Sequence, residues 1–201
     1  FQNEAEVQAH RSSEGKVIQP NAKPGDLIYL DLNNDGIIND EDKTMIGDPN
    51  PDYTYSLTVG FDYKGFDFSM LAYGVAGNQL VQSYRNHTNA FANYTTSILG
   101  RWHGEGTSST IPRVTETNTN YQFSDIYVHN GDFVRINNIT LGYDFSHKIN
   151  KGFLSKLRLY ASVLNALTFT KYTGMDPEVG YGLENGSSGV DIGYYPRPRT
   201  Y

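Results

Sequence analysis

The sequence predicts an all-β fold: a segment of about five antiparallel strands from a large transmembrane β-barrel with long extracellular loops. Three observations lead to this prediction. Apolar and polar residues alternate along several stretches, each with room for a membrane-crossing strand of about 9–11 residues. The connections between these stretches are alternately short and long. Tyrosine, which suits strands and wet–apolar boundaries, occurs 16 times among 201 residues.

The first elements along the chain are a short helix and a hairpin. Residues 3–10 predict a helix, which Asn3 caps and in which Glu6 completes a capping box. Residues 53–63 then alternate without a fault, with aromatic and aliphatic residues on one face and mostly Thr, Ser and Asp on the other. Lys64-Gly65 predicts a two-residue turn into a second strand that begins at Phe66.

The remaining elements follow a long polar stretch. Residues 78–131 show little periodicity, so they predict a functional loop or a small structure of their own. Alternation returns over 133–145 and, after a short connection, from residue 157 onward. A second polar loop at about 168–193 precedes a last extended segment at 194–201.

Composition and motifs exclude several classes of function. The formal net charge is −6, which argues against nucleic acid as a partner, because phosphate binding needs clustered Lys and Arg. The absence of cysteine excludes disulfides and thiolate chemistry. The five histidines lack a zinc spacing, and no catalytic constellation is recognisable, so we predict no enzyme. The chain begins at Phe1 without an initiator methionine or signal sequence, which indicates a processed piece or a fragment.

The alternation itself leaves two architectures open. In a soluble β-sandwich the apolar faces would point inward, whereas in a barrel they would point to lipid and the polar faces would line a wet lumen. The length of the strands and the short–long connections favour the barrel. The alternative is a secreted β-sandwich that binds a ligand and carries a structural calcium site; such a module would be soluble without detergent.

One motif predicts a metal site. Residues 31–42 fit the start of an EF-hand-type loop, D-x-[DN]-x-[DN]-G, with Gly36 at the sharp turn. Ca²⁺ takes about 6–8 oxygen ligands, which positions 1, 3, 5, 7, 9 and 12 of such a loop supply. The predicted ligands are Asp31, Asn33, Asp35, the carbonyl of Ile37, Asn39 and Asp42. Because no second loop and no flanking helix pair accompany the motif, we expect a structural role on the extracellular side.

Candidates for substrate contacts are weaker. Aromatic residues in the loops can stack on sugars or on apolar parts of a ligand, although loop aromatics more often pack on the protein itself. The candidates are Tyr84, Trp102 and Tyr181.

An ordered series of motifs resembles the C-terminal part of SusC/RagA-type, TonB-dependent outer-membrane transporters of Bacteroidetes-type bacteria. The match runs in order over nearly the whole chain and is carried by residues 24–26, 31–38, 46–52, 63–67, 130–143, 157–167 and 172–178. The resemblance implies the cell outer membrane as the location. It also implies import of large nutrients, glycans or oligopeptides, through a barrel of about 22 strands with a plugged lumen.

The resemblance also implies partners. A SusD-like surface lipoprotein would form a lid on the barrel, and the TonB system would act through an N-terminal plug region that these 201 residues lack. The chain would then comprise an extracellular loop region at 1–52, with the short helix and the calcium-type loop, and barrel strands with their loops at 53–201. The family's last strand normally ends in an aromatic residue a few positions further on than Tyr201.

The alternation predicts which faces meet lipid. Leu141 should face lipid and its neighbour Thr140 the lumen, so Leu141→Arg should destabilise the folded barrel by roughly 2–4 kcal/mol if the residue lies near the bilayer midplane. Thr140→Arg, the matched control, should have a mild effect. Unfolding of both variants in lipid vesicles measures the difference, and a larger loss at Thr140 would reverse the assignment of the faces.

Overall fold

The computed structural model describes residues 1–84, 92–115, 120–146, 148–149, 154–178 and 188–201. The chain forms two compact units: Phe1–Ile46 with Arg85–Tyr127, and Gly47–Tyr84 with Val128–Tyr201. Within the described ranges, no helix is both long and apolar enough to cross a membrane.

Among its described residues, the first unit contains the predicted helix, α1 (Glu4–Ala9), and 3₁₀ turns at Asp40–Asp42, Thr96–Gly100 and Asp125–Tyr127. The side chain of Asn3 caps α1, because its oxygen accepts a hydrogen bond from the Glu6 N–H at 3.0 Å. The expected return bond differs by one residue, since the Glu6 carboxylate accepts from the N–H of Gln2 at 2.6 Å. Val7 anchors the helix in the core of this unit and is 1% exposed.

The described residues of the second unit form two sheets. The main sheet is wholly antiparallel and has the order β1-β2-β5-β6, with β1 at Tyr53–Tyr63, β2 at Phe66–Ala76, β5 at Phe133–Asp144 and β6 at Arg158–Thr170. The smaller sheet has the order β4-β3-β7, with β3 at Gln79–Gln82, β4 at Val128–Asn130 and β7 at Val190–Asp191. The long polar stretch therefore begins and ends in strands that pair with each other.

A two-residue turn joins β1 and β2, as the sequence predicts. Lys64 has φ 47° and Gly65 has φ 89°, so both central residues lie in the left-handed region that a type I′ hairpin turn requires. The right-handed twist of such a turn matches that of the strands, which keeps β1 and β2 paired from Tyr63–Phe66 to Tyr53–Ala76.

Each face of the main sheet has its own chemistry. Phe61, Phe68, Leu141 and Ala161 pair across all four strands in one row of the apolar face. The neighbouring row, on the polar face, consists of Gly60, Ser69, Thr140 and Ser162. The predicted alternation in β1 and after residue 138 in β5 is thus confirmed.

A β-bulge interrupts β5. Leu71 and Ala72 are consecutive in β2 but pair with Asn138 and Ile136, so Asn137 is an extra residue. The extra residue inverts the alternation, so that Val134 and Ile136 lie on the apolar face and Arg135 lies on the polar face. The single unbroken alternation expected over 133–145 is therefore wrong for its first part.

The C-terminal segment also differs from the expectation. Of the five strands expected, the main sheet contains four, and residues 194–201 form only one isolated bridge, between Leu164 and Thr200. Next to this bridge Asn165 has φ 51°, and its side-chain amide donates to the Pro198 carbonyl at 3.0 Å. Asn165 and Ala166 lie opposite Asn137 of β5 alone, so β6 bulges here, and the Asn165 hydrogen bond holds the end of the chain beside it.

An ion pair crosses the polar face above Gly142. Asp67 of β2 accepts hydrogen bonds from Arg158 of β6, one of them from Nε at 2.8 Å, although β5 lies between these strands. A Cβ atom at Gly142 would lie 2.5 Å from Asp67 Oδ1 and 2.6 Å from Arg158 Nη2. A side chain at position 142 would therefore force the charged ends of Asp67 and Arg158 to shift.

We predict that Gly142→Val displaces this ion pair and destabilises the sheet by about 1–3 kcal/mol, the usual cost of overpacking. Gly60→Ala is the control, because a Cβ atom there meets only the Phe68 carbonyl oxygen, at 3.6 Å. Thermal unfolding of the full-length protein in detergent measures both variants. Equal thermal unfolding midpoints of the two variants would show that the Asp67–Arg158 ion pair does not depend on the space above Gly142.

Candidate functional site: the polar face and the acidic loop

The polar face carries a connected set of hydrogen bonds between β5 and β6. The hydroxyl of Ser162 donates to Asn138 Oδ1 at 2.9 Å and lies 2.9 Å from the hydroxyl of Thr140. Because all three side chains are half-buried and bonded to each other, this part of the face is polar but held in place.

An ionic cluster occupies the same face where β5 begins. Arg135, 2% exposed, lies 2.5 Å from Asp176 Oδ1 through Nη2 and 3.1 Å from Glu178 Oε2 through Nη1. Its Nε donates to the Thr168 hydroxyl of β6 at 3.1 Å, and the hydroxyl of Tyr73 on β2 donates to Glu178 Oε2 at 2.5 Å. Three strands thus contribute to one cluster, which holds the segment after β6 against the sheet.

Arg197 closes the cluster from the C-terminal segment. Its guanidinium lies 2.9 Å from Glu178 Oε1, and its backbone N–H donates to Asp176 Oδ2 at 3.1 Å. The two carboxylates therefore face two guanidinium groups, so the charges of these four side chains balance. The arrangement fixes two loop segments against the polar face of the sheet.

Tyr84, a predicted substrate contact, belongs to a second buried group. Its hydroxyl donates to Asp191 Oδ2 at 2.6 Å, as does the hydroxyl of Tyr172, and Asp191 is fully buried. Burial, followed by the hydrogen bond to Asp191, raises the pKa of Tyr84 and raises that of Tyr172 more strongly. Both phenols therefore stay protonated at neutral pH and act as donors that hold β7.

The other two predicted substrate contacts lie elsewhere. Trp102 packs on Gly25, where a Cβ atom would lie 2.4 Å from the indole ring, and its Nε1 donates to Gln2 Oε1 at 3.3 Å. Tyr181 lies outside the described residues. Substrate contact by Tyr84, Trp102 or Tyr181 stays a prediction.

The acidic loop at residues 31–42 folds around its own backbone amides. Asp31 accepts from the N–H groups of Asp35 at 3.1 Å and Gly36 at 2.8 Å. Asp42, at the far end, accepts from Leu32 and Asn39, each at 2.8 Å. The side chains at the first and twelfth positions thus both point toward the loop backbone. Gly36 adopts the left-handed conformation, φ 78°, that the sharp turn needs.

Backbone N–H donors stabilise negative charge in this loop. The hydrogen bond from the Asn39 N–H is the main cause that lowers the pKa of Asp42 below its usual value, so this carboxylate is ionised at neutral pH. Among the described residues, no group of three or more His, Cys, Asp or Glu side chains is assembled to hold a metal ion. The six predicted calcium ligands lie in one loop. The carboxylates of Asp31 and Asp42 accept hydrogen bonds from backbone N–H groups of that loop.

Comparisons with known proteins identify relatives of the whole chain. No family model matches. TonB-dependent receptor P3 of Formosa agariphila is 32% identical over 196 residues, which cover 92% of this chain and 19% of the relative. TonB-dependent receptor SusC of Bacteroides thetaiotaomicron is 32% identical over 214 aligned positions, which cover 99% of this chain and 20% of the relative. The chain belongs to the SusC/RagA-type TonB-dependent receptor family.

The fold agrees with this family. A solved structure of the RagAB peptide transporter matches 75% of the chain with a TM-score of 0.59 at 21% identity, and the match covers 16% of that transporter chain. A structure of the RagAB peptide importer in the "closed-closed" state gives a TM-score of 0.58. The chain spans about a fifth of the length of the curated TonB-dependent receptors it matches.

Sequence reasoning missed the ionic cluster of this TonB-dependent receptor segment. Its members come from β2, β5 and two later segments, so no local pattern joins them. One signal was present in the sequence. Apolar residues occur at 134 and 136 and then at 139 and 141, and this change from even to odd positions marks the bulge that turns Arg135 to the polar face.

We predict that Arg135→Gln lowers the free energy of unfolding by about 3–5 kcal/mol, because it leaves the buried carboxylate of Asp176 without its charged partner. Arg197→Gln is the control in the same cluster. Its guanidinium is 52% exposed, so the loss should stay below about 1 kcal/mol. Denaturant unfolding of the full-length receptor in detergent measures both, and similar losses would contradict the central role of Arg135.

Proposed function

We propose that the chain forms part of the β-barrel of an outer-membrane importer that takes up large nutrients in a TonB-dependent manner. The observation that carries the proposal is the apolar face of the main sheet. Leu57, Phe61, Leu141 and Leu159, which represent all its strands but β2, are 52–59% exposed. A soluble protein rarely exposes so continuous an apolar patch, whereas a barrel wall presents it to lipid.

This exposed face favours the importer over the soluble β-sandwich. A sandwich buries the apolar face of one sheet against a second sheet about 10 Å away. In the part of the chain that the structure describes, the three strands outside the main sheet contain only 4, 3 and 2 residues. They are too short to cover strands of 11–13 residues.

The polar face then lines the lumen. Its Asn138–Thr140–Ser162 hydrogen bonds and the Arg135 cluster provide a polar, fixed wall past which a hydrophilic nutrient moves. The relative SusC, a TonB-dependent receptor, and the structurally similar RagAB peptide importer support import as the activity. For this protein we propose glycans or oligopeptides as nutrients, a SusD-like surface lipoprotein as lid and the TonB system as energy source.

The proposal predicts that uptake depends on both the full-length gene and TonB. Cells that lack the gene should lose uptake of one labelled class, either oligopeptides or glycans, and should take up no more of it than cells that lack TonB. The intact gene on a plasmid should restore uptake. Unchanged uptake of both classes after deletion, with the protein absent from the membrane, would refute import as its function.

We further propose that the acidic loop at residues 31–42 binds one structural Ca²⁺ on the extracellular side. Five side chains and the carbonyl of Ile37 supply oxygen ligands at the spacing that such loops use. The backbone turn is already formed, so the ion would stabilise a loop whose ends are joined by the Leu32–Asp42 bond. The same ion would offset the mutual repulsion of its aspartates.

We predict that Asp31→Asn weakens calcium binding by at least about tenfold, because the ligand at the first position loses its charge and extracellular sites of this kind bind only with Kd of about 10⁻⁴–10⁻³ M. Asp40→Asn is the matched control, since position 10 of the loop supplies no ligand. Calorimetric titration of the full-length protein with Ca²⁺ measures both affinities. Failure of the unsubstituted protein to bind Ca²⁺ would refute the site.

A further inference from the structure

An extended segment in the first unit, just before the acidic loop, has the features of a single β-strand. Residues 26–31 run without turn or bend, and burial alternates along 27–32, with the even positions exposed. Ile28 is 50% exposed and Leu30 is 68% exposed. This alternation is that of a half-buried strand, although no strand pairs with it among the described residues.

Side chains satisfy one edge of this segment in place of a neighbouring strand. The Leu27 N–H donates to Asn120 Oδ1 at 2.9 Å, and its carbonyl accepts from Gln19 Nε2 at 3.1 Å. The Tyr29 N–H donates to Gln19 Oε1 at 2.8 Å, and its carbonyl lies 3.1 Å from His10 Nε2. All four backbone groups of the odd residues are therefore occupied.

The opposite edge is free. In an extended chain the backbone groups of alternate residues point to opposite sides, so those of Ile28 and Leu30 point away from Gln19. None of these two N–H and two carbonyl groups has a hydrogen-bond partner among the described residues. The free edge ends at Leu32, whose N–H donates to Asp42 Oδ1.

We propose that an extended segment from the remainder of the same polypeptide, outside residues 1–201, adds to this edge as a β-strand. Two donors and two acceptors at alternate residues match the backbone of a paired strand, and the exposed Ile28 and Leu30 side chains add an apolar surface. The curated relatives are about five times as long as their match to this chain, so ample polypeptide is available. A segment of at least three residues, with apolar side chains at alternate positions, fits the edge.

The direct test is amide hydrogen exchange of the purified full-length protein, without any partner. The amides of Ile28 and Leu30 should exchange at least about 100-fold more slowly than in an unstructured chain. The amides of Leu27 and Tyr29 are the internal reference, because they are bonded within the described unit. Free exchange of Ile28 and Leu30 beside protected Leu27 and Tyr29 would overturn the proposal.

A cross-linking experiment identifies the source of the strand. A photoreactive amino acid at position 28 of the full-length protein should give intramolecular links to residues outside 1–201. The same amino acid at position 99, where Leu99 is 75% exposed, is the control and should not give those links. Links from position 28 only to a second copy or to another protein would overturn the proposal, even if the amides are protected.

Discussion

The pairing of β2 with β5 is the interaction on which the rest of the sheet depends. It joins Phe66–Val75 to Phe133–Tyr143, across the longest stretch of chain between neighbouring strands of the main sheet. A two-stranded hairpin alone is marginal in stability, and this pairing turns two such units into a four-stranded sheet. It also places Tyr73 and Arg135 side by side and puts Gly142 beneath the Asp67–Arg158 pair.

The fold could be predicted from the sequence where local chemistry decides it. In β1, a residue's face depends only on whether its position is odd or even, and the Lys64-Gly65 turn fixes the register of the partner strand. Likewise, Asn3 caps α1 through a contact only three residues away. The acidic loop also closes on its own amides, so its shape follows from its own residues.

Other parts depend on contacts that no local pattern contains. Asn137 is one extra residue, yet it moves Arg135 to the opposite face, and only the change of apolar residues from even to odd positions marks it in the sequence. Asp176, Glu178 and Arg197 then meet Arg135 from segments without periodicity. In the sequence, Tyr84 is a loop aromatic of the kind that can contact a ligand. Its position is instead determined by the buried Asp191, which lies 107 residues further along the chain. Membership of the TonB-dependent receptor family, in contrast, was readable because its motifs are contiguous.

The Lys64-Gly65 turn has a consequence for how such a gene can change. Both residues already adopt positive φ, and the Gly65 carbonyl accepts from the N–H of Asp144 at 2.7 Å, so the turn is tied to β5 as well as to its own hairpin. One inserted codon there would shift the register of β1 and exchange its apolar and polar faces. An insertion in the long connections at the opposite ends of the strands would leave this register unchanged, because it adds residues outside the paired segments.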